Sequence, residues 1–142
     1  MRKILTTTIV LLAMATTFFT ACDSKAKGAK ESKEVKETKD VQADPRSVAE
    51  AIFNAARSGN YGGLAVLIDA DADTDAKMIT QVSADKTIQD QFKEHFSKGK
   101  VSAEPVVSGE TASVNILFGP DGTKEETFEM VRKNGKWYLK SF

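Results

Sequence analysis

The sequence is nearly free of the residues that build covalent cross-links and transition-metal sites. It has one cysteine, Cys22, and one histidine, His95. A single thiol excludes a disulfide framework within the chain, and these two residues cannot by themselves supply a Cys/His zinc site. No cofactor and no metal ion are therefore predicted, and the fold has to be stabilised by an ordinary hydrophobic core.

The chain also lacks an excess of charge of either sign. Its formal net charge is zero, and removal of Arg2 and Lys3 with the N-terminal segment leaves a net charge of −2. Proteins that bind nucleic acid through its phosphates need a basic surplus. Nucleic acid is therefore not among the predicted partners.

The one long hydrophobic run, Ile4 to Ala21, follows the basic pair Arg2-Lys3 and ends directly before Cys22. A basic start, an apolar stretch and small residues at its end are the order of an export signal. The position of Cys22 predicts a lipoprotein signal peptide over residues 1–21, with Cys22 lipidated by palmitate-type acyl chains. An uncleaved membrane anchor and plain secretion are the alternatives, although threonines in the run weaken the case for an anchor.

Residues 22–44 have a different composition, in which lysines alternate with acidic residues and the only large aliphatic residues are Val35 and Val41. Such a segment buries too little apolar surface to offset the entropy lost on ordering. We expect a flexible charged tether that holds a domain away from the membrane of the bacterial cell envelope. The sequence does not choose between the inner and the outer membrane.

Helical periodicity begins at residue 45, where Asp44-Pro45 is a helix-start signal, and Gly59-Asn60 ends the first helix. A short second helix is predicted over Tyr61 to Ile68, and more helical sequence over Thr74 to Lys98 with a break near residues 83–85. The apolar faces of these helices comprise Val48, Ala51, Ile52, Ala55, Leu64, Leu67, Met78, Ile79, Val82, Ile88, Phe92 and Phe96.

After Gly99 the pattern changes to alternation, which is typical of strands. Asn134-Gly135 is a strong hairpin signal. The sequence predicts an α+β domain over residues 45–142, in which N-terminal helices pack on a curved four-stranded antiparallel sheet. The predicted strands lie near Val101 to Val107 at the edge, Ala112 to Phe118, Glu126 to Val131 and Trp137 to Phe142.

Two short motifs accompany this order of elements: Ser58-Gly59-Asn60-Tyr61 after the first helix, and the closing hairpin from Asn134 to Leu139. Together they resemble the nuclear-transport-factor-2-like superfamily with its cystatin-like cone. Within it, the chain is similar to single-domain bacterial lipoproteins of uncharacterised function. The resemblance implies a sheet wrapped around the first helix, with a ligand or active-site pocket at the open end in some members and a dimerising sheet face in others.

Aromatic and methionine side chains on the inward strand faces are the candidate lining of such a pocket. The candidate ligand-binding residues are Phe118, Phe128, Met130 and Trp137, with Phe92 on the facing helix. The same side chains could simply fill the core. The sequence alone leaves both readings open.

Glu126 is the one carboxylate with the strand parity of Phe128 and Met130, so it could face a pocket as a catalytic group. Enzymes of the resembled superfamily, such as ketosteroid isomerases, use an aspartate base, and here no aspartate falls on an inward strand position. His95 lies at the margin of a helical stripe and is expected to keep its polar edge in water. An enzyme is therefore the less favoured class, and no catalytic residue is assigned.

Four aspartates at alternate positions form the densest group of acids. The spacing fails the EF-hand pattern, because neither register places glycine and glutamate where the loop needs them. An acidic loop that caps the next helix is the better interpretation. The four residues are Asp69, Asp71, Asp73 and Asp75.

The sequence thus favours a lipid-anchored envelope protein that displays a non-catalytic domain for a small apolar ligand or for an envelope protein. A protein-binding role would need an exposed apolar sheet face, for which Leu117, Val131 and Phe142 are the candidates, and a homodimer is one form of it. The alternative is an isomerase-like or hydrolase-like enzyme that uses a pocket carboxylate.

Overall fold

The computed structural model describes residues 40–142. The predicted signal peptide, the lipidation of Cys22 and most of the predicted tether lie outside the described residues. Within residues 40–142, no helix is long and apolar enough to cross a membrane.

The described part begins with a short 3-10 helix, Val41–Ala43, in a stretch assigned to the tether from the sequence. Gln42 holds it against the domain, because its buried amide Nε2 donates hydrogen bonds to the carbonyl oxygens of Val66 at 3.1 Å and Trp137 at 3.2 Å. These two bonds pair polar atoms that burial would otherwise leave unsatisfied. The packed part of the chain therefore starts before the predicted boundary at residue 45.

The first helix, α1 (Pro45–Ser58), forms as the sequence predicts. The Asp44 carboxylate caps it by accepting a hydrogen bond from the Ser47 backbone N–H at 3.1 Å. Pro45 has no backbone N–H and so needs no acceptor at the first position of the helix. Gly59 ends the helix in the left-handed conformation with a φ of 75°. The helix buries one face, which includes Val48, Ala49, Ile52, Phe53, Ala55 and Ala56.

The predicted second helix over residues 61–68 is only a 3-10 turn, Ala65–Leu67. The chain leaves it at Ile68, which forms a parallel bridge with Leu139, and the Asp69 backbone N–H donates to the Leu139 carbonyl at 2.8 Å. The prediction of a full helix was therefore wrong at this point. The edge of the sheet supplies hydrogen-bond partners for the backbone at this point, and a helix that continued through Ile68 could not make these bonds.

Two further helices follow, α2 (Thr74–Gln81) and α3 (Lys86–Phe96), with the predicted break between them. Each has an aspartate as its N-cap. Asp73 accepts from the Ala76 N–H at 2.8 Å, and Asp85 accepts from the Thr87 N–H at 2.7 Å.

The sheet is antiparallel and has five strands, β1 (Lys100–Val101), β2 (Val106–Ser108), β3 (Thr111–Phe118), β4 (Lys124–Lys133) and β5 (Lys136–Ser141). Their order is β1-β3-β4-β5, and β2 also pairs with β3. The predicted α+β class is confirmed. The fifth strand arises because the predicted edge strand is divided into two short pieces on either side of Pro105, which has no N–H for a ladder bond.

The core lies between α1 and the inward face of the sheet. Side chains of β3, β4 and β5 alternate between this face and solvent, as the sequence pattern predicts. Asn134-Gly135 closes the β4–β5 hairpin with φ angles of 53° and 79°, which suit a type I′ turn. The buried strand residues are Ala112, Val114, Ile116, Phe118, Phe128, Met130, Trp137 and Leu139.

Candidate ligand-binding cleft

A cleft of about 650 Å³ opens between the helices and one end of the sheet. Its walls come from α2, α3, the end of β3, the start of β4 and the C-terminal residue. The lining side chains are Asp75, Met78, Ile79, Val82, Ile88, Gln91, Phe92, Glu94, His95, Phe96, Phe118, Lys124, Glu126 and Phe142.

Aromatic rings form a continuous wall of the cleft, with Phe96 in the middle. Its ring centroid lies 4.9 Å from that of Phe92, 5.4 Å from that of Phe118 and 5.7 Å from that of Phe142. These distances fall in the range of favourable aromatic pairs. Phe96 also stacks on Phe53 of the core at 6.2 Å, so the wall of the cleft is continuous with the hydrophobic core.

Backbone contacts fix the mouth of the cleft. The Gly119 N–H, in the turn between β3 and β4, donates to the His95 carbonyl near the end of α3 at 2.6 Å. This bond connects the tip of the hairpin to α3, which carries six of the fourteen lining residues. The geometry is therefore set by main-chain contacts and a packed core, as expected for a largely pre-formed site.

The polar lining residues are distributed around the rim. His95 is exposed, as predicted, and its Nδ1 lies 2.9 Å from the Gln91 carbonyl oxygen. Glu126 is half-buried, and its Oε1 accepts a hydrogen bond from the Thr127 backbone N–H at 3.3 Å. The Lys124 ammonium lies 4.7 Å from the centre of the Phe118 ring.

The predicted ligand-binding residues divide into two groups in the structure. Phe118 lines the cleft, and so does Phe92. Phe128, Met130 and Trp137 are 0%, 1% and 3% exposed and belong to the core, not to the lining. A ligand role for any of the four stays a prediction.

Other lining residues were assigned only to helix faces or to the sheet. Met78, Ile79, Val82 and Ile88 carry the right periodicity, but periodicity does not distinguish a core face from a cleft wall. Phe142 was predicted on the outer sheet face. It lies instead on the helix side, with its ring centroid 5.3 Å from that of Phe128, and the apolar inner side gives this terminal ring more to pack against.

The outer face of the sheet is mixed in polarity. Leu117 and Val131 are half-buried there, and the Ser113 hydroxyl donates to both Glu129 carboxylate oxygens at 3.1 Å and 2.9 Å. The most exposed apolar strand residues are at the edge in β2, where Val106 is 67% and Val107 54% exposed.

The four aspartates have separate structural roles. The Lys133 ammonium bridges Asp69 at 2.7 Å and Asp71 at 3.1 Å. Burial alone would raise the pKa of the Asp69 carboxyl, but hydrogen bonds from Lys133 and the Asp71 N–H outweigh it and hold that pKa below its ordinary value. Asp73 caps α2, and Asp75 lies in the first turn of that helix. In residues 40–142 no group of three or more acidic, histidine or cysteine side chains is arranged to hold a metal ion.

A second, smaller cleft of about 320 Å³ lies beside α1 and is lined by charged residues. Its arginines have internal partners: Arg46 pairs with Glu50 and Glu104, and Arg57 donates to the carbonyls of Ser97 and Gly99. Because these cations are already engaged, this cleft is the weaker candidate.

Comparison with known proteins adds one structural resemblance. No protein-family model matches the chain, and no curated protein sequence does so either. A solved structure from Campylobacter jejuni, described provisionally as an NTF2-like transpeptidase, is similar over 69% of this chain and 97% of its own, with 18% identity and a TM-score of 0.45. At this level the likeness carries no argument about activity, and the α+β fold rests on the elements described above.

Proposed function

We propose that the domain binds a small ligand with an apolar body in the cleft between α2, α3 and the β3–β4 hairpin. The observation that carries the proposal is the aromatic wall around Phe96, which lines a cleft of about 650 Å³. A volume between about 300 and 1,000 Å³ and an apolar lining with a few polar groups are typical of small-molecule sites.

The outer sheet face supports a protein-binding role less well. Its apolar residues Leu117 and Val131 are separated by polar ones, so it offers no continuous apolar patch of the kind that marks interfaces. The cleft therefore supports the small-ligand role more than the protein-binding role.

A catalytic role is the second candidate, because Glu126 does line the cleft. A half-buried carboxylate beside aromatic rings is a reasonable general base. An isomerase or hydrolase of this kind would lose its turnover in the Glu126→Gln variant. If a turnover is found and the variant retains it, this candidate is eliminated.

We also propose that the chain is attached to a membrane of the bacterial cell envelope through acyl chains on Cys22. The support is the sequence order of basic pair, apolar run, small residues and cysteine. Under this proposal the domain would meet ligands of the envelope, where apolar and amphipathic molecules are abundant.

Two residues that occur once in the chain provide a test of binding. His95 lies at the rim of the cleft and Trp137 in the core, and each gives a single side-chain signal in an NMR spectrum. We would titrate the untagged full chain in lipid nanodiscs with 2-naphthalenemethanol, an uncharged aromatic alcohol. The expected result is a saturable shift of the His95 imidazole signal with little change at the Trp137 indole.

Matched variants locate the site. Ile88→Asn places a polar group on the cleft wall and should raise the Kd about tenfold, the effect of losing one partly buried aliphatic side chain. Val66→Asn makes the same kind of change at an exposed residue away from the cleft and should leave the Kd unchanged. A His95 signal that does not respond, or responds equally in both variants, contradicts the proposal.

A further inference from the structure

The charges around the cleft are unbalanced. Three carboxylates line it, against one lysine and one histidine, so acidic groups are in the majority even when the histidine is protonated. The acidic residues are Asp75, Glu94 and Glu126. An anionic ligand would be repelled by this lining, and a cationic ligand would be attracted to it.

Glu126 is the acid most suited to contact a ligand, because it is half-buried and adjoins the aromatic wall. Within residues 40–142, no lysine, arginine or histidine lies within ion-pair distance of its carboxylate. The more deeply buried Asp69, by contrast, is paired with Lys133. A carboxylate partly withdrawn from water without a cationic partner favours a ligand that brings one.

The aromatic wall is already in contact with a cation. The Lys124 ammonium lies 4.7 Å from the centre of the Phe118 ring, within the range of a cation–π contact. Both residues line the cleft. This arrangement shows that a ring in the cleft wall can accept an ammonium group supplied by the chain itself.

We infer that the cleft selects organic ammonium compounds with an apolar body, and that Glu126 pairs with the ammonium while the rings of Phe92, Phe96 and Phe118 contact the body. The inference rests on the proposed function, because it names the ligand class of the same cleft. The Lys124 ammonium repels such a ligand and competes with it for Phe118.

The inference predicts opposite effects of two substitutions on the affinity for the ammonium compound. Glu126→Gln removes the proposed partner and should weaken binding of the ammonium compound about fivefold to tenfold, the effect of one charge contact at a partly exposed site. Lys124→Met removes the competing cation and should strengthen binding by a similar factor.

Each substitution has a control with the same change in net charge. Glu125→Gln alters the neighbouring residue, which is exposed and faces the opposite side of β4. Lys77→Met alters an exposed lysine of α2 that does not line the cleft. Both controls should bind like the unaltered chain, which separates a local contact from the total charge of the protein.

The test compares three probes with the same two-ring body: 2-naphthylmethylammonium, 2-naphthalenemethanol and 2-naphthoate. Each is titrated into the full chain in nanodiscs at one pH and ionic strength, with the His95 signal as the reporter and empty nanodiscs as the correction for partitioning. The expected order of affinity is ammonium, then alcohol, then carboxylate, with the ammonium preference reduced in Glu126→Gln and increased in Lys124→Met.

The outcomes separate the two proposals. Binding of the alcohol with equal or tighter binding of the carboxylate overturns the inference and leaves the proposed function standing. An ammonium preference that survives Glu126→Gln also overturns it, because the contact is then not with Glu126. Failure of all three probes to shift the His95 signal overturns the proposed function together with the inference.

Discussion

Gly99 is the position where a single methyl group should damage the domain most clearly. It lies between the end of α3 and β1, and its backbone N–H donates to the Phe96 carbonyl at 2.9 Å. A Cβ built on Gly99 would fall less than 3.0 Å from two ring carbons of Phe53 and 2.9 Å from the Phe96 carbonyl oxygen. Carbon atoms in contact normally lie about 3.5–4.0 Å apart.

The surroundings cannot relax easily. Phe53 is fully buried, with its ring stacked on Phe128 at 5.8 Å and on Phe96 at 6.2 Å. On the other side, the Arg57 guanidinium holds the carbonyls of Ser97 and Gly99. Overpacking of this kind costs about 1–3 kcal/mol, and two fixed neighbours place Gly99→Ala near the upper end.

Alanine also restricts the unfolded chain, which offsets about 0.4–1 kcal/mol of that cost. The expected net loss is about 2 kcal/mol in the free energy of unfolding. Urea denaturation followed by the fluorescence of Trp137 measures it, and the midpoint should fall by about 1–2 M for slopes typical of a small domain.

Gly63→Ala is the matched control, because a Cβ at Gly63 meets no atom within 4 Å and its backbone is not left-handed. It should leave stability unchanged or raise it slightly. A second check is the double variant with Phe53→Leu, whose smaller side chain should relieve part of the clash. The double variant should therefore lose less stability than the sum of the losses of the two single variants. Equal effects of Gly99→Ala and Gly63→Ala, or strict additivity with Phe53→Leu, would refute the reasoning.

Three further predictions follow from other contacts. The lowered pKa of Asp69 stabilises the fold at pH values above the unfolded-state pKa of about 3.9, and this contribution is lost as the pH falls through the folded-state pKa. Lys133→Met should therefore lower the urea midpoint at pH 7 more than at pH 3. An equal loss at both pH values would contradict this. Gln42→Ala should lower the free energy of unfolding by about 1–2 kcal/mol, because the buried Trp137 carbonyl and the partly buried Val66 carbonyl lose their donor. An unchanged midpoint would mean that the N-terminal 3-10 helix does not contribute to stability. Cys22→Ser should abolish incorporation of an alkyne-labelled palmitate fed to the bacterial host, and label retained in the variant would exclude Cys22 as its site.

Local signals predicted most of the fold. The aspartate caps before α1 and α2, the break near residues 83–85 and the Asn134-Gly135 hairpin depend on a few neighbouring residues, so they can be read from the sequence. The sequence did not predict the contacts made by Gln42 or the bridge between Ile68 and Leu139, because their partners are distant in the chain. These contacts explain why the predicted helix over residues 61–68 shortens and why the packed part begins before residue 45.

The candidate site also depends on contacts between distant parts of the chain, which the sequence pattern does not predict. Strand parity correctly placed Glu126, Phe128 and Met130 on one face of β4, but it does not say how deep each residue lies. Phe128 and Met130 are buried in the core, whereas Glu126 lines the cleft near the start of β4. That depth depends on where α2 and α3 pack against the sheet, which is a tertiary property.

The division between core and cleft has a consequence for how binding and stability are coupled. Phe96 contacts Phe53 and Phe128 on the core side and Phe92, Phe118 and Phe142 on the cleft side. A ligand that packs on the cleft rings would therefore stabilise the same aromatic cluster that the Gly99 methyl group disturbs. Because a ligand that binds only the folded state adds RT ln(1 + [L]/Kd) to stability, a probe at one hundred times its Kd should offset about 2.7 kcal/mol, enough to restore the midpoint of Gly99→Ala if the cleft still forms in that variant.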